Sequence, residues 1–185
     1  MSVSIRRATP ADAPALASVA AATFALACPP GTTQANIALF IETSLSEQSF
    51  EAYLGSPAHR LWLAEEDSEP VGYAMAVHGE PTDPDIQNAV AFRPTLELSK
   101  IYVRESHHGT GVAEALMDVA ISEAQNSGAG SVWLGVNQQN VRANRFYEKQ
   151  GFVLRGTRFF QVGDSTEADY VRERPLGSQG TQVCI

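Results

Sequence analysis

The sequence predicts an α/β fold in one domain, with a mixed central sheet flanked by helices on both faces. Three observations predict it. Short apolar or alternating stretches at Arg60–Glu65, Val71–His78, Thr95–Val103 and Ser131–Val136 read as strands, while Val112, Leu116, Val119, Ala120 and Ala124 recur at helical spacing. Strand, helix and strand follow one another from Thr95 to Val136, an order that makes parallel neighbours, whereas the flanking strands lie close enough to form hairpins. A length of 185 residues with 44% apolar content suits one core.

The elements follow in order. Ser4–Ala8 alternates as a first strand. Thr9 before Pro10 is a helix-start signal, and the Ala-rich helix runs to about Ala27, where the CPPG of Cys28–Gly31 stops it. Ile37, Phe40, Ile41 and Leu45 carry a second helical stretch over Thr33–Leu54, with Glu42, Glu47 and Glu51 among them. After the two strands around the polar turn Glu66–Pro70, Glu80–Asn88 reads as a surface loop because it is polar and holds Pro81 and Pro84. In Thr95–Val103 strict alternation sets Leu96, Leu98, Lys100 and Tyr102 on one side and Glu97, Ser99, Ile101 and Val103 on the other. A helix over Gly111–Asn126 ends at Gly128 and Gly130, and a strand at Ser131–Val136 leads to a helix at Val141–Gln150, which Gly151 stops. Phe152–Val162 and Asp169–Glu173 close the domain, residues 1–176, and 177–185 read as a frayed tail.

Composition narrows the function classes. A net charge of -8 argues against nucleic-acid binding and suits a cationic acceptor. The longest apolar stretches, Ala11–Ala27 and Val112–Ala124, are too short and interrupted to span a bilayer, and no apolar leader follows Arg6 and Arg7, so neither membrane nor export is expected. Cys28 and Cys184 form no disulfide or zinc pattern, and the adjacent His107 and His108 do not chelate one metal easily. The expected setting is cytoplasmic, without a metal.

The most informative segment is Glu97–Met117, ELSKIYVRESHHGTGVAEALM. A strand enters a short glycine turn that opens a helix, so several main-chain N–H groups and the positive end of the helix dipole face one point. That is an anion site, most naturally for a diphosphate. A dinucleotide fingerprint would need glycine where Glu114 stands, and a P-loop would need a lysine that is absent here. By itself the turn reads equally well as a tight connection without a ligand.

With the block Val136–Phe152, VNQQNVRANRFYEKQGF, the segment resembles the GNAT superfamily of acetyl-CoA-dependent N-acetyltransferases. The family's Q/R-x-x-G-x-G/A hallmark matches at Gly111 and Ala113 and departs at His108, where Gln or Arg is usual. The resemblance implies that the amides of His108, Gly109, Thr110, Gly111, Val112 and Ala113 hold the CoA diphosphate. It implies that Ile101, Tyr102 and Val103 pair with the pantetheine arm like an added strand, the Ile101 N–H facing the thioester oxygen. It further implies that Asn140 bonds the pantetheine arm or its phosphate end and that Tyr147 protonates the departing thiolate. Chemistry agrees with the last role, because a thiol titrates near ~8.5 and a tyrosine near ~10. From the residues alone, Asn140 reads as a helix cap and Tyr147 as an aromatic that packs helix on sheet.

Attack needs a neutral amine, so something must take a proton. Glu97, eleven residues before His108, stands where several members of the family place that base. LELSKIYV at Leu96–Val103 with FYEKQGF at Phe146–Phe152 looks most like the bacterial branch that includes polyamine acetyltransferases, as do the closing strands, which implies a small amine or polyamine as acceptor. The Thr33–Leu54 stretch would then line the acceptor side, although the spacing of its glutamates favours a solvated face. A protein N-terminus or lysine as acceptor and a non-catalytic acyl-CoA sensor are the competing expectations. Homodimers are common in the family.

Overall fold

The computed structural model describes residues 3–177, so Cys184 and all but Gly177 of the expected tail lie outside the described residues. The chain forms β1 (Val3–Arg7), α1 (Ala13–Ala27), α2 (Gln34–Ser44), α3 (Glu47–Gly55), β2 (His59–Glu66), β3 (Glu69–His78) and α4 (Pro84–Ala89). It continues with β4 (Thr95–Val103), α5 (Val112–Asn126), β5 (Ser131–Asn137), α6 (Val141–Lys149), β6 (Val153–Val162) and β7 (Ser165–Pro175). The seven strands make one sheet in the order β1-β2-β3-β4-β5-β7-β6. Only β4 and β5 pair in parallel; every other pairing is antiparallel. The mixed sheet expected from the sequence is present.

Two apolar layers hold helices on the two faces. On one, Leu116, Met117, Ala120 and Ala124 of α5 pack on Ala74, Ala76, Leu96, Leu98, Val132 and Leu134. On the other, Leu16, Val19, Ala20 and Phe24 of α1 pack with Phe50 of α3 on Leu61, Leu63, Tyr73 and Met75. The centres of β2 and β3 are buried on both faces, which is why their sequences run apolar without alternation. The segment Pro10–Ala27 is long and apolar enough by composition to cross a membrane, with mean hydropathy 1.3. In the fold its residues 13, 16, 19, 20, 23 and 24 make one buried stripe against the sheet.

Three expectations need correction. The single stretch Thr33–Leu54 is two helices, because Leu45 turns inward and the Ser46 hydroxyl caps α3 by accepting from the Ser49 N–H at 3.2 Å. The loop Glu80–Asn88 contains α4, which Asp83 caps and Pro84 opens, with Ile86 buried beneath it. The alternation of β4 is broken at Ser99: Met75 pairs with Lys100 but Ala76 with Leu98, leaving Ser99 as a bulge. An extra residue reverses the alternation beyond it. Leu96 and Leu98 therefore share the α5 face with Ile101 and Val103, and Tyr102 turns to the α1 side.

Candidate active site

β4 and β5 are joined over a short length, Thr95, Leu96 and Glu97 pairing with Ser131, Val132 and Trp133. Beyond Glu97 they part. The Arg104 N–H donates to the Val71 carbonyl at 2.8 Å, so in the alternating antiparallel ladder Tyr102 and Lys100 also spend their main-chain groups on β3. Ile101 and Val103 consequently turn their N–H and C=O groups to the open edge that faces β5. Tyr102, expected to pair through its backbone, instead offers its ring, which stacks on Tyr73 with centroids 5.6 Å apart.

A cavity of about 420 Å³ fills the gap. Its walls come from the C-terminal end of α1, from α2, from the parted strands, from the start of α6 and from the β6–β7 hairpin. Glu97 and Tyr147 both line it, and so do Ile101, Tyr102, Val103, His108 and Asn140. The Tyr147 ring packs edge-on to Phe146 and Phe152, at 5.5 and 5.9 Å between centroids. Burial raises its phenol well above the ordinary value, so the group is protonated at neutral pH. Burial also raises the Glu97 carboxyl, against the opposing pull of Arg158 and Lys100. Asn140 caps α6, its side-chain oxygen accepting from the Ala143 N–H at 3.0 Å, and the residue lines the cavity.

The glycine turn lies past the cavity's edge. Gly109 and Gly111 have φ of 77° and 90°, a left-handed backbone that ordinary side chains disfavour, and Gly111 is the N-cap of α5. The N–H groups of His108 and Thr110 are spent inside the turn on the Glu105 and His107 carbonyls. Those of Gly109, Gly111, Val112, Ala113 and Glu114 meet no acceptor among the described residues. The open N–H groups therefore begin at Gly109 rather than His108, skip Thr110, and run one residue past Ala113 into the helix. The His108 side chain is also redirected. Its Nε2–H donates to the Val103 carbonyl at 2.9 Å, which leaves Nδ1 as the acceptor for the Arg142 guanidinium. His107 points elsewhere, Nε2 meeting Glu66 at 3.1 Å, so the two imidazoles do not converge.

Sequence reasoning missed the polar floor of the cavity. Lys100, Arg158, Glu167 and Asp169 line it beside Glu97. Lys100 reaches this side because of the Ser99 bulge. Arg158 and Asp169 are cross-strand partners on β6 and β7, with Nε and Oδ2 3.6 Å apart, and the guanidinium lies over the Trp133 ring at 5.7 Å. Burial pushes the Asp169 carboxyl up to about 6 despite Arg158. Gly135 makes room for this arginine, since a Cβ there would stand 2.6 Å from its Cζ. The one available signal was the alternation of the closing hairpin, which sets residues 158 and 169 on a common face. Glu42, Glu47 and Glu51 are exposed and do not line the cavity, as a solvated face requires.

Comparison with known proteins bears on this geometry. The model of the acetyltransferase (GNAT) family matches residues 26–152. An uncharacterized N-acetyltransferase of Mycobacterium tuberculosis is 46% identical over 165 residues, covering 89% of this chain and 98% of its own. Among solved structures, the PaiA N-acetyltransferase of Thermoplasma acidophilum in complex with coenzyme A superposes with a TM-score of 0.76 at 18% identity, over 95% of this chain and 100% of that one. The ribosomal-protein-S18-alanine N-acetyltransferase of Escherichia coli does so with a TM-score of 0.69 at 18% identity, over the whole of both. The two structures share the fold, and the family match together with the mycobacterial relative shows the descent: this protein belongs to the GNAT family of acetyltransferases.

Proposed function

We propose that the protein acetylates the primary amine of a small molecule by direct attack in a ternary complex with acetyl-CoA. The observation that carries this reading is that Glu97 and Tyr147, on different elements, line one cavity where the parted strands leave the Ile101 N–H open. The residues fit the co-substrate: five unpartnered N–H groups at the mouth of α5 suit a diphosphate, and the open edge of β4 suits an amide-bearing arm. Acetyl-CoA supplies the activated thioester. Glu97 takes the proton of the attacking amine, directly or through a water, and burial makes it a stronger base than an exposed carboxylate. The Ile101 N–H faces the oxygen that gains charge. Tyr147 gives its proton to the departing sulfur. Holding the groups in one cleft supplies the orientation that direct transfer requires. The acidic groups Glu97, Glu167 and Asp169 on the cavity wall suit a free small amine, a polyamine included, as acceptor.

Two measurements test the reading. Free amines and N-terminal peptides are compared with acetyl-CoA by thiol release; turnover is expected with free amines, and turnover with peptides alone would move the assignment to protein acetylation. CoA binding with no thiol release from any acceptor would favour a sensor. Glu97→Gln is expected to reduce kcat/KM by about 10²-fold near neutral pH. The loss should shrink as pH approaches the amine's own range near ~10, where the acceptor is already neutral. The pH–rate profiles of both proteins check this, and a constant ratio would assign the proton to another base.

A further inference from the structure

The amine reading leaves the two opposite charges on β4 only half explained. Because the Ser99 bulge removes one residue from the alternation, Glu97 and Lys100 stand on the same face two ladder positions apart, roughly 6–7 Å between Cα atoms along a strand. Both line the cavity. Neither forms an ion pair with any described residue, although Arg158 beside them pairs with Asp169. The Lys100 ammonium rests over the Tyr53 ring at 5.4 Å, and its nearest polar contact is the Ser99 hydroxyl at 3.5 Å. The ammonium feels the Glu97 carboxylate across the cavity but touches no carboxylate, and it repels a second cation placed beside it. A plain alkylamine or a polyamine would engage the carboxylates of this floor and still leave Lys100 without a carboxylate in contact.

We propose that the acceptor is amphoteric, a small amino acid whose amine is delivered to Glu97 while its carboxylate pairs with Lys100. This deepens the amine-acetylation reading and rests on it. The Glu97–Lys100 pair then reads a head-to-tail dipole of opposite sense, and an acceptor lacking either end loses one partner. Phe24 and Phe40, stacked at 4.5 Å, also line the cavity and give apolar surface for the acceptor's carbon skeleton. Lys100 acts on the acceptor's position and selectivity, not on the transfer itself.

The test uses three matched pairs with the full-length enzyme and acetyl-CoA: phenylalanine and 2-phenylethylamine, lysine and cadaverine, 4-aminobutyrate and propylamine. In each pair the second compound is the first without its carboxylate. A charge-assisted contact of ordinary strength corresponds to about 10–100-fold. The wild-type enzyme is therefore expected to favour the amino acid of at least one pair by about tenfold or more in kcat/KM. Lys100→Gln should abolish that preference by raising KM for the amino acid, with kcat little changed, and should improve the paired amine by removing the repulsion. Lys100→Arg should keep the preference, which separates anchoring from a general loss of structure. Equal or better use of the decarboxylated amine in all three pairs overturns the proposal while leaving the acetyltransferase reading intact. So does a parallel fall for both members in Lys100→Gln with no recovery in Lys100→Arg. Absence of thiol release with every amine, in protein that binds acetyl-CoA by calorimetry, removes both readings together.

Discussion

Tyr147→Phe lowers kcat by about 10²-fold or more and leaves the KM for acetyl-CoA nearly unchanged: that is the result expected if the Tyr147 hydroxyl protonates the leaving sulfur. The substitution keeps the ring, and with it the edge-on contacts to Phe146 and Phe152 that seat α6 on the sheet. What disappears is a hydroxyl that has no protein partner among the described residues and faces the cavity. A thermal melt should accordingly change little, which separates loss of chemistry from loss of packing. Burial keeps the phenol protonated through the neutral range, so the wild-type rate should show no acidic or neutral limb belonging to this group. Thiol release measured at saturating acetyl-CoA decides the matter; a variant as fast as the wild type would assign the proton to water.

The second large effect concerns stability. Glu173 on β7 is fully buried, and its carboxylate accepts from the N–H groups of Ala91 and Phe92, at 3.1 and 2.9 Å, and from the Arg155 Nε at 2.9 Å. It fastens the segment between α4 and β4 to the far side of the sheet. Glu173→Ala leaves two main-chain donors without an acceptor and Arg155 without its counter-charge. Breaking a buried charged contact of this kind costs about 3–5 kcal/mol. That is a large part of the ~5–15 kcal/mol that holds an ordinary domain folded. Urea denaturation should show the loss as a lower midpoint at unchanged slope. Glu173→Gln, which keeps one acceptor oxygen, should fall between the two.

Much of the site was legible because its signals are local. A strand entering Gly109-Thr110-Gly111 and a helix opening at Val112 are consecutive in the chain, and the seventeen residues from Val136 to Phe152 carry both the Asn140 cap and Tyr147. What could not be read depends on register. A bulge has no sequence mark of its own: Ser99 fits strict alternation as well as it fits an extra residue, and only pairing with Met75 and Ala76 decides. On that one residue turns the face of Lys100. Arg158 and Asp169 come together through hairpin register in the same way. The break between α2 and α3 was closer to legible, since Ser46 before Glu47 is a helix-start pattern; the run of apolar residues from Ile37 to Leu45 outweighed it.

The short seam between β4 and β5 carries a mechanical consequence. The strands β1 to β4 and the strands β5 to β7 are each well laced internally, yet the two groups meet along a single corner at Thr95–Glu97. α5 spans the break on one face, and on the other the cavity lies between the parted strands and α1 and α2. A molecule that lies along the exposed rim of β4 acts as a missing rung, and the free energy of its binding is added to the cohesion of the whole sheet. Occupancy of that rim would tie the two groups of strands together, and release would part them again.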